Sequence, residues 1–255
     1  MTTKIDDSKE VSNKLNEFFS SIGANMANAL QHPFSNSTLT STSFIKSSKN
    51  SFFLEPITVE EVFRELKNLD LSKSTKSDSP PVKYIKLAAP IIAPTLTNLY
   101  NKCIKTSTFP NILKVSEIIP LFKQGNKYSC NNYKPISLIS TFSKIFEKCL
   151  YKQLYSYFDK FNILYKLQFG FRENYSTELA VAEVCNDIIE NIENNKINCS
   201  IFLDLKKAFD SVNHNILLDK LYKYGIRGEP HKLLESYLTN RKQCSLLLLT
   251  RLNPT

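Results

Sequence analysis

Asn198 to His214 reads N-C-S-I-F-L-D-L-K-K-A-F-D-S-V-N-H, and this stretch governs how the rest of the chain is interpreted. Apolar residues alternate from Cys199 to Leu205, which predicts a strand because successive side chains of a strand point to opposite faces. Asp204 lies near the carboxyl end of that run. A carboxylate in such a place has to be paired, solvated or bound to a metal. Spacing alone leaves a structural role and a metal-binding or catalytic role open.

The positive charge of the chain is concentrated in one block. The 255 residues carry a formal net charge of +9, and residues 101–172 hold twelve Lys and Arg against three acids. The remaining stretches are close to neutral. Such a block predicts a surface for a polyanion, although a solvated lysine-rich face would explain the charge equally well.

Cysteine usage and hydropathy exclude several classes of protein. The six cysteines are far apart and form no C-x-x-C pair, so neither a zinc site nor a secreted disulfide framework is indicated. The first residues are polar and acidic, and no apolar run approaches the length of a transmembrane helix. We therefore expect an intracellular protein, cytoplasmic or nuclear, with no membrane association.

Helical patterns fill the first part of the chain. An amphipathic helix is predicted over residues 7–30, and a boundary is predicted in the polar Ser/Thr/Asn-rich stretch 35–51. Thr58 and Glu61 have the spacing of a capping box and begin the next helix. Residues 91–105 show helical spacing again.

Strand patterns appear after residue 113. Residues 115–122 and 133–139 read as two extended runs that form a hairpin with a basic loop. Pro135 lies inside the second run, which favours an edge strand. Further helices are predicted over 141–161, from 176 or 177 to 192, over 216–224 and from near 230, with a last strand at 243–250. The helix that begins at 176 or 177 is expected to bury Leu179, Ala182, Cys185, Ile189 and Ile192.

The ordered motifs resemble the reverse transcriptase of non-LTR (LINE-type) retrotransposons, and the resemblance covers nearly the whole chain. Its motifs are P-N-I-L-K-V-S-E-I-I-P-L-F-K (110–123), N-Y-K-P-I-S-L (132–138), K-I-F-E (144–147), Q-F-G-F-R (168–172) with Ser176-Thr177, F-L-D-L-K-K-A-F-D-S-V-N-H (202–214) and Y-L-T-N-R-K-Q (237–243). The resemblance implies an α+β fold. It consists of the fingers and the first part of the palm of a right-hand polymerase, preceded by a helical N-terminal extension.

The resemblance and the composition together divide the chain into five segments. These are an N-terminal helical segment (1–34), the Ser/Thr/Asn-rich linker (35–51), a helical region (52–112), the fingers (113–197) and a partial palm (198–255). The reverse transcriptase domain itself is expected to span about residues 110–255 and to be incomplete.

The chemistry implied by the resemblance is RNA-directed DNA synthesis with two Mg²⁺ ions, which activate the primer 3′-hydroxyl and stabilise charge on the incoming dNTP. Asp204 and the backbone carbonyl of Leu205 are assigned to the metal ions. Phe209 is assigned to the sugar of the nucleotide. Lys123 and Lys134 are assigned to its triphosphate.

The resemblance also implies nucleic-acid partners. Gln168, Gly170 and Arg172 are assigned to the template or primer. The expected ligand is an RNA template with a DNA primer, bound as an RNA–DNA hybrid through its backbone. Affinity of this kind falls steeply with salt.

Three departures from the family pattern qualify these assignments. Lys134 stands where the family usually has Arg, which keeps the charge but loses a bidentate fork. The loop 73–81 lacks the usual glycine before its Asp. The G-x-P-Q-G and Tyr/Ala-x-Asp-Asp segments expected after Asp204 do not occur in these 255 residues.

We therefore expect this chain alone to bind Mg²⁺ weakly and not to polymerise. Two alternatives stay open. One is a non-catalytic, basic nucleic-acid-binding fragment. The other is the product of a decayed element that does not fold stably.

Overall fold

The computed structural model describes residues 8–29, 45–73, 75–77, 79–205 and 207–245, which form an α+β fold as predicted. The elements are α1 (Ser8–Ala29), α2 (Val59–Lys67), α3 (Val82–Lys105), β1 (Val115–Phe122), β2 (Tyr133–Leu138), α4 (Thr141–Lys160), α5 (Thr177–Glu193), α6 (His214–Lys223), α7 (Gly228–Leu238) and β3 (Lys242–Ser245). Contacts divide the chain into a first unit, Met1–Leu154 with Phe209–Thr255, and a second unit, Tyr155–Ala208. The assignment of segments to fingers and palm stays a prediction.

A small mixed sheet in the first unit has the strand order β2-β1-β3. β1 and β2 are antiparallel and form the predicted hairpin, whereas β1 and β3 are parallel. Pro135 lies in β2, at the edge of the described sheet, as predicted. Since proline has no N–H to donate, an edge strand is where it disturbs the ladder least.

The main core of the first unit is formed by α2, α3, α4 and α7. The predicted capping box begins α2: the Thr58 hydroxyl accepts a hydrogen bond from the Glu61 N–H, and the Glu61 carboxylate accepts one from the Thr58 N–H. The cap directs Val62 and Leu66 inward, and both are fully buried. Fully burying side chains of this size stabilises a fold by about 1.5–3 kcal/mol each.

Stacked aromatic rings lie at the centre of this core. The Phe146 ring of α4 stacks on Tyr100 of α3, with ring centroids 4.7 Å apart, and on Phe109 at 5.1 Å. All three side chains are fully buried. The Tyr100 hydroxyl donates to the Phe142 carbonyl over 2.8 Å, which satisfies the one polar atom that this packing buries.

Helix α1 packs against the sheet. Its apolar side forms a cluster with β1 that contains Leu15, Phe19, Ile22 and Ile118. The Ser12 hydroxyl donates to the Ser245 carbonyl of β3 over 2.5 Å. At Gly23 a Cβ atom would lie 2.7 Å from the carbonyl oxygen of Asp210, so only glycine allows this approach.

The predicted strand at 199–205 is wrong. Residues 199–205 form no strand, and Ile201, Leu203 and Leu205 are 80%, 89% and 75% exposed. Strand conformation is stabilised by a neighbour that pairs its N–H and C=O groups. Among the described residues, the strands β1, β2 and β3 pair only with one another.

The predicted buried face of α5 is also wrong. The helix begins as predicted, because the Ser176 hydroxyl caps it by accepting from the Leu179 N–H. However, no residue of α5 is buried, and Ile192 is 63% exposed. Apolar spacing shows which side of a helix can be buried, but not whether another element covers it.

One helix is longer than predicted. α3 begins at Val82 rather than at 91, with Pro90 and Pro94 inside it. Most of the linker, residues 7 and 30 of the predicted first helix, and residues 246–250 of the predicted last strand lie outside the described residues. No helix in the described part of the chain is long and apolar enough to cross a membrane.

Candidate functional site

The β1–β2 hairpin places Lys123 and Lys134 on one exposed face. Lys134 lies directly opposite Leu121, so the two side chains point to the same side of the sheet. Lys123 is two residues beyond Leu121, and its N–H continues the ladder by donating to the Asn132 carbonyl over 2.8 Å. The two lysines are therefore diagonal neighbours, roughly 7–8 Å apart by ladder geometry.

Side chains within the loop fix the end of the hairpin. The Asn132 amide donates to the Asn126 carbonyl, and the Tyr133 hydroxyl donates to the Lys127 carbonyl, both over 2.9 Å. Gly125 has a φ of 93°, and a Cβ atom there would lie 2.9 Å from the Asn132 amide nitrogen. The two lysines thus flank an ordered turn that requires a glycine.

The charged residues of this hairpin are almost all positive. Residues 118–138 contain three lysines and no acid. The nearest acid on β1, Glu117, is buried and accepts two hydrogen bonds from Ser77, one from its N–H over 2.8 Å and one from its hydroxyl over 2.7 Å. The exposed face of the hairpin is therefore positive, as a polyanion-binding surface requires.

In the second unit, the turn at 168–172 is organised by Arg172. The Arg172 guanidinium lies over the Tyr175 ring, 4.1 Å from its centroid, and Nη1 donates to the Tyr165 carbonyl over 3.4 Å. The Nε atom is buried with no hydrogen-bond partner among the described residues. The Gln168 amide donates to the Gly170 carbonyl over 3.1 Å.

Gly170 is not the left-handed residue of this turn. The positive φ, 61°, falls on Phe171, whose side chain is 83% exposed. Such a φ is strained for a bulky residue, and strained backbone of this kind clusters at binding sites. A Cβ atom on Gly170 would meet nothing within 4 Å. The fold itself therefore does not require glycine at this position.

The residues assigned to metal and sugar are exposed. Asp204 and Leu205 lie in the second unit, in the segment that forms no strand, and Phe209 lies in the first unit with 79% of its side chain exposed. No three His, Cys, Asp or Glu side chains come together as metal ligands in the described residues. A two-metal site needs several carboxylates, so Asp204 alone does not fit it.

Sequence reasoning missed a charged cluster in the first unit. Burial raises the pKa of Glu147, while the nearby Arg241 charge and hydrogen bonds from Ser143 and Tyr237 act against that shift. The side chain of Lys114 is almost fully buried, and its pKa is lowered by burial and by the charge of Arg241. The available signal was the presence of Lys114, Glu147 and Arg241 in three of the motifs quoted above.

The chain matches known proteins over the same region. Residues 122–252, about half of the chain, match the family model described as reverse transcriptase (RNA-dependent DNA polymerase). This match contains the hairpin from Phe122 onward, the 168–172 turn, Asp204 and Arg241.

Several transposon proteins are similar. The chain is 32% identical over 191 residues to a probable RNA-directed DNA polymerase from transposon BS of Drosophila melanogaster, covering 74% of this chain and 21% of that protein. It is 31% identical over 168 residues to the RNA-directed DNA polymerase from mobile element jockey of the same species, covering 66% and 18%. The jockey protein of Drosophila funebris is 28% identical over 189 residues, covering 74% and 20%.

The chain thus spans about a fifth of the length of these relatives. The matched region contains five of the six motifs on which the resemblance rests, and the family inferred from them is confirmed. The chain therefore belongs to the reverse transcriptase (RNA-dependent DNA polymerase) family, and its domain is of the kind found in non-LTR retrotransposons.

Proposed function

We propose that this chain is the nucleic-acid-binding part of an RNA-directed DNA polymerase, and that it binds an RNA–DNA hybrid through the backbone. The observation that carries the proposal is the hairpin, which holds Lys123 and Lys134 on one exposed face to which residues 118–138 contribute no acid. Lysine binds phosphate as a compact point charge. In the complete polymerase, the same two lysines contact the triphosphate of the incoming nucleotide.

The second unit contributes contacts to the template or primer. Arg172 is stacked on Tyr175, which orients its guanidinium before any ligand arrives. Pre-orientation lowers the entropic cost of binding. Gln168 and Gly170 belong to the same turn, where the exposed Phe171 offers a surface for a base or sugar.

Asp204 and the Leu205 carbonyl belong to a Mg²⁺ site that the described residues do not complete. Phe209 excludes a ribose 2′-hydroxyl by its bulk in this proposal. If completed, such a site would supply the chemistry of phosphoryl transfer.

Substitution of the hairpin lysines tests the proposal. In K123Q/K134Q, affinity for an RNA–DNA hybrid should fall several-fold and the salt dependence should become shallower, because each lost phosphate contact removes one released counterion. The control is K102Q/K105Q, which removes the same charge from exposed positions at the end of α3. Equal losses in both double variants would show that net charge, and not the hairpin, determines binding.

A nucleic-acid-binding protein without polymerase activity is the second candidate. It is favoured by the basic hairpin, since lysines bind a phosphate backbone without a metal ion, and no three potential metal ligands come together in the described residues. Both candidates predict hybrid binding that is not weakened in D204A. Template-dependent DNA synthesis by the wild-type chain that disappears in D204A would overturn this second candidate.

A further inference from the structure

We propose that a cleft between the turn preceding β1 and the turn preceding β3 binds one strand of nucleic acid through its sugar-phosphate backbone. The cleft has a volume of about 670 Å³ and is lined by Asn111, Ile112, Val115, Asn240, Arg241 and Lys242. None of these residues has an assigned role. The inference rests on the proposed function, because it adds a second contact surface for the same class of ligand.

The cleft joins two sequence motifs that are far apart in the chain. Asn111 and Ile112 belong to the motif 110–123, whereas Arg241 and Lys242 belong to the motif 237–243. The parallel pairing of β1 with β3 places Val115 opposite Lys242 and brings the motifs together. The hairpin accounts for residues 115–123 of the first motif, but neither the hairpin nor Asp204 explains Asn111, Ile112 or the second motif.

Arg241 is oriented by the helix that precedes it. Its guanidinium lies 4.7 Å from the centroid of the Tyr237 ring, and Nη1 donates to the Tyr237 carbonyl over 3.3 Å. The Tyr237 ring packs edge-on against the buried Phe109, with centroids 4.9 Å apart. Asn240 makes the turn with a φ of 55°, which asparagine tolerates better than most residues. The cation is therefore presented from a rigid platform.

The charge balance around the cleft is positive. Arg241 and Lys242 line it, and the buried Lys114 lies close enough to Arg241 for the guanidinium charge to lower the lysine pKa. One acid, Glu147, faces Arg241 from α4, and burial raises the pKa of this carboxyl. Lys144 lies near Glu147 as well. An anion in the cleft would relieve the repulsion between the cations.

The lining favours a single strand. A volume of about 670 Å³ suits part of a flexible ligand rather than a double helix, since sites for drug-sized molecules span about 300–1,000 Å³. Ile112 is 81% exposed and offers an apolar contact for a sugar or base. The amides of Asn111 and Asn240 both donate and accept hydrogen bonds, as contacts to phosphate and sugar require.

The first test is a double substitution in the full chain. R241Q/K242Q should weaken binding of a short single-stranded RNA several-fold and reduce the steepness of its salt dependence by about 0.7 for each lost phosphate contact. K102Q/K105Q is the control for charge, and thermal unfolding shows whether each variant is folded. The same measurement with DNA of identical sequence separates a backbone site from one that requires the 2′-hydroxyl.

The second test locates the strand. A photo-crosslinking benzoylphenylalanine in place of Ile112 should crosslink to the bound RNA, whereas the same residue in place of Ile91, which is 80% exposed on α3, should not. Crosslinking at both positions or at neither would overturn the proposal.

The outcomes separate this inference from the proposed function. Suppose that K123Q/K134Q weakens hybrid binding but R241Q/K242Q leaves single-stranded RNA binding unchanged. This result would overturn the proposal that the cleft binds nucleic acid and leave the hairpin proposal intact. Equal losses in R241Q/K242Q and K102Q/K105Q would also overturn the cleft. A wild-type chain that binds no nucleic acid would overturn both.

Discussion

Glu65 is a buried acid held by two lysines of another helix. Its side chain is 6% exposed, Lys148 Nζ lies 3.3 Å from it, and Lys152 donates a hydrogen bond to it. Burial alone would raise the pKa of Glu65, but the Lys152 hydrogen bond and the charges of both lysines outweigh burial and lower it. The carboxylate therefore joins α2 to α4 in its ionised form.

We predict that E65Q destabilises the first unit by about 1–2 kcal/mol at pH 7, less than for a fully buried pair because the lysines are half exposed. A lowered folded-state pKa gives stability that is present above the unfolded value and lost as pH falls through the folded value. In wild type this loss should occur below the ordinary glutamate pKa of about 4.3. Thermal unfolding between pH 7 and pH 3 measures both effects.

The control for Glu65 is E60Q, on the same helix but exposed. It should change stability by less than about 0.5 kcal/mol. An E65Q protein as stable as E60Q at pH 7 would contradict the account of the ion cluster.

Substitution of Gly170 tests whether this glycine is needed for ligand binding rather than for folding. G170A should leave thermal stability unchanged, because the Cβ atom would meet nothing within 4 Å and the backbone is not left-handed. If nucleic acid approaches the backbone there, affinity for the RNA–DNA hybrid should fall. The comparison is G228A, where space is equally open but a φ of 62° makes alanine strained. Unchanged affinity in G170A would remove Gly170 from the binding site.

At the scale of elements, α1 is expected to be an integral part of the first unit. G23A would ordinarily stabilise a helix by about 1 kcal/mol. Here the added Cβ would lie 2.7 Å from the Asp210 carbonyl, and overpacking of this kind costs about 1–3 kcal/mol. We predict a net loss of stability and faster hydrogen exchange in α1. The exposed Ser20 provides a control, S20A. A more stable G23A would show that α1 does not pack on Asp210.

Elements with strong local signals were predictable from the sequence. The hairpin follows from the period of residues 115–122 and from Pro135, and α2 follows from the Thr58–Glu61 capping box. These signals depend on nearby residues, so a single sequence contains them. The register of the hairpin then places the side chains of Lys123 and Lys134 on the same side of the sheet.

Elements that need a distant partner were not predictable. The alternation at 199–205 gave no strand, and the apolar side of α5 is uncovered. Likewise, the cleft depends on the parallel pairing of Val115 with Lys242, which joins residues that are far apart in the chain. Local pattern does not specify such pairings.

For the molecule as a whole, we predict no DNA synthesis by this 255-residue chain on a primed RNA template with Mg²⁺ and dNTPs. One carboxylate at 204 is too few for two metal ions, and loss of a member of a catalytic unit commonly costs several orders of magnitude in rate. Primer extension followed on a gel measures this. Template-dependent extension that disappears in D204A would contradict the prediction.

Binding should be independent of Asp204. We predict that D204A binds the RNA–DNA hybrid at least as tightly as wild type, because the substitution removes a negative charge and no contact to the backbone. A large loss of affinity in D204A would show that a metal ion at this residue contributes to binding.

Hybrid binding by this chain is tested most directly by the dissociation constant of the wild-type protein for an RNA–DNA hybrid, measured over a range of salt concentrations. If the positive hairpin binds the backbone, the logarithm of the affinity should fall linearly with the logarithm of salt, with a slope on the order of 0.9 per neutralised phosphate. Substitution of Lys123 and Lys134 should make that slope shallower by about 0.9 for each of the two lost phosphate contacts. Absence of binding, or an affinity that does not change with salt, would contradict the account.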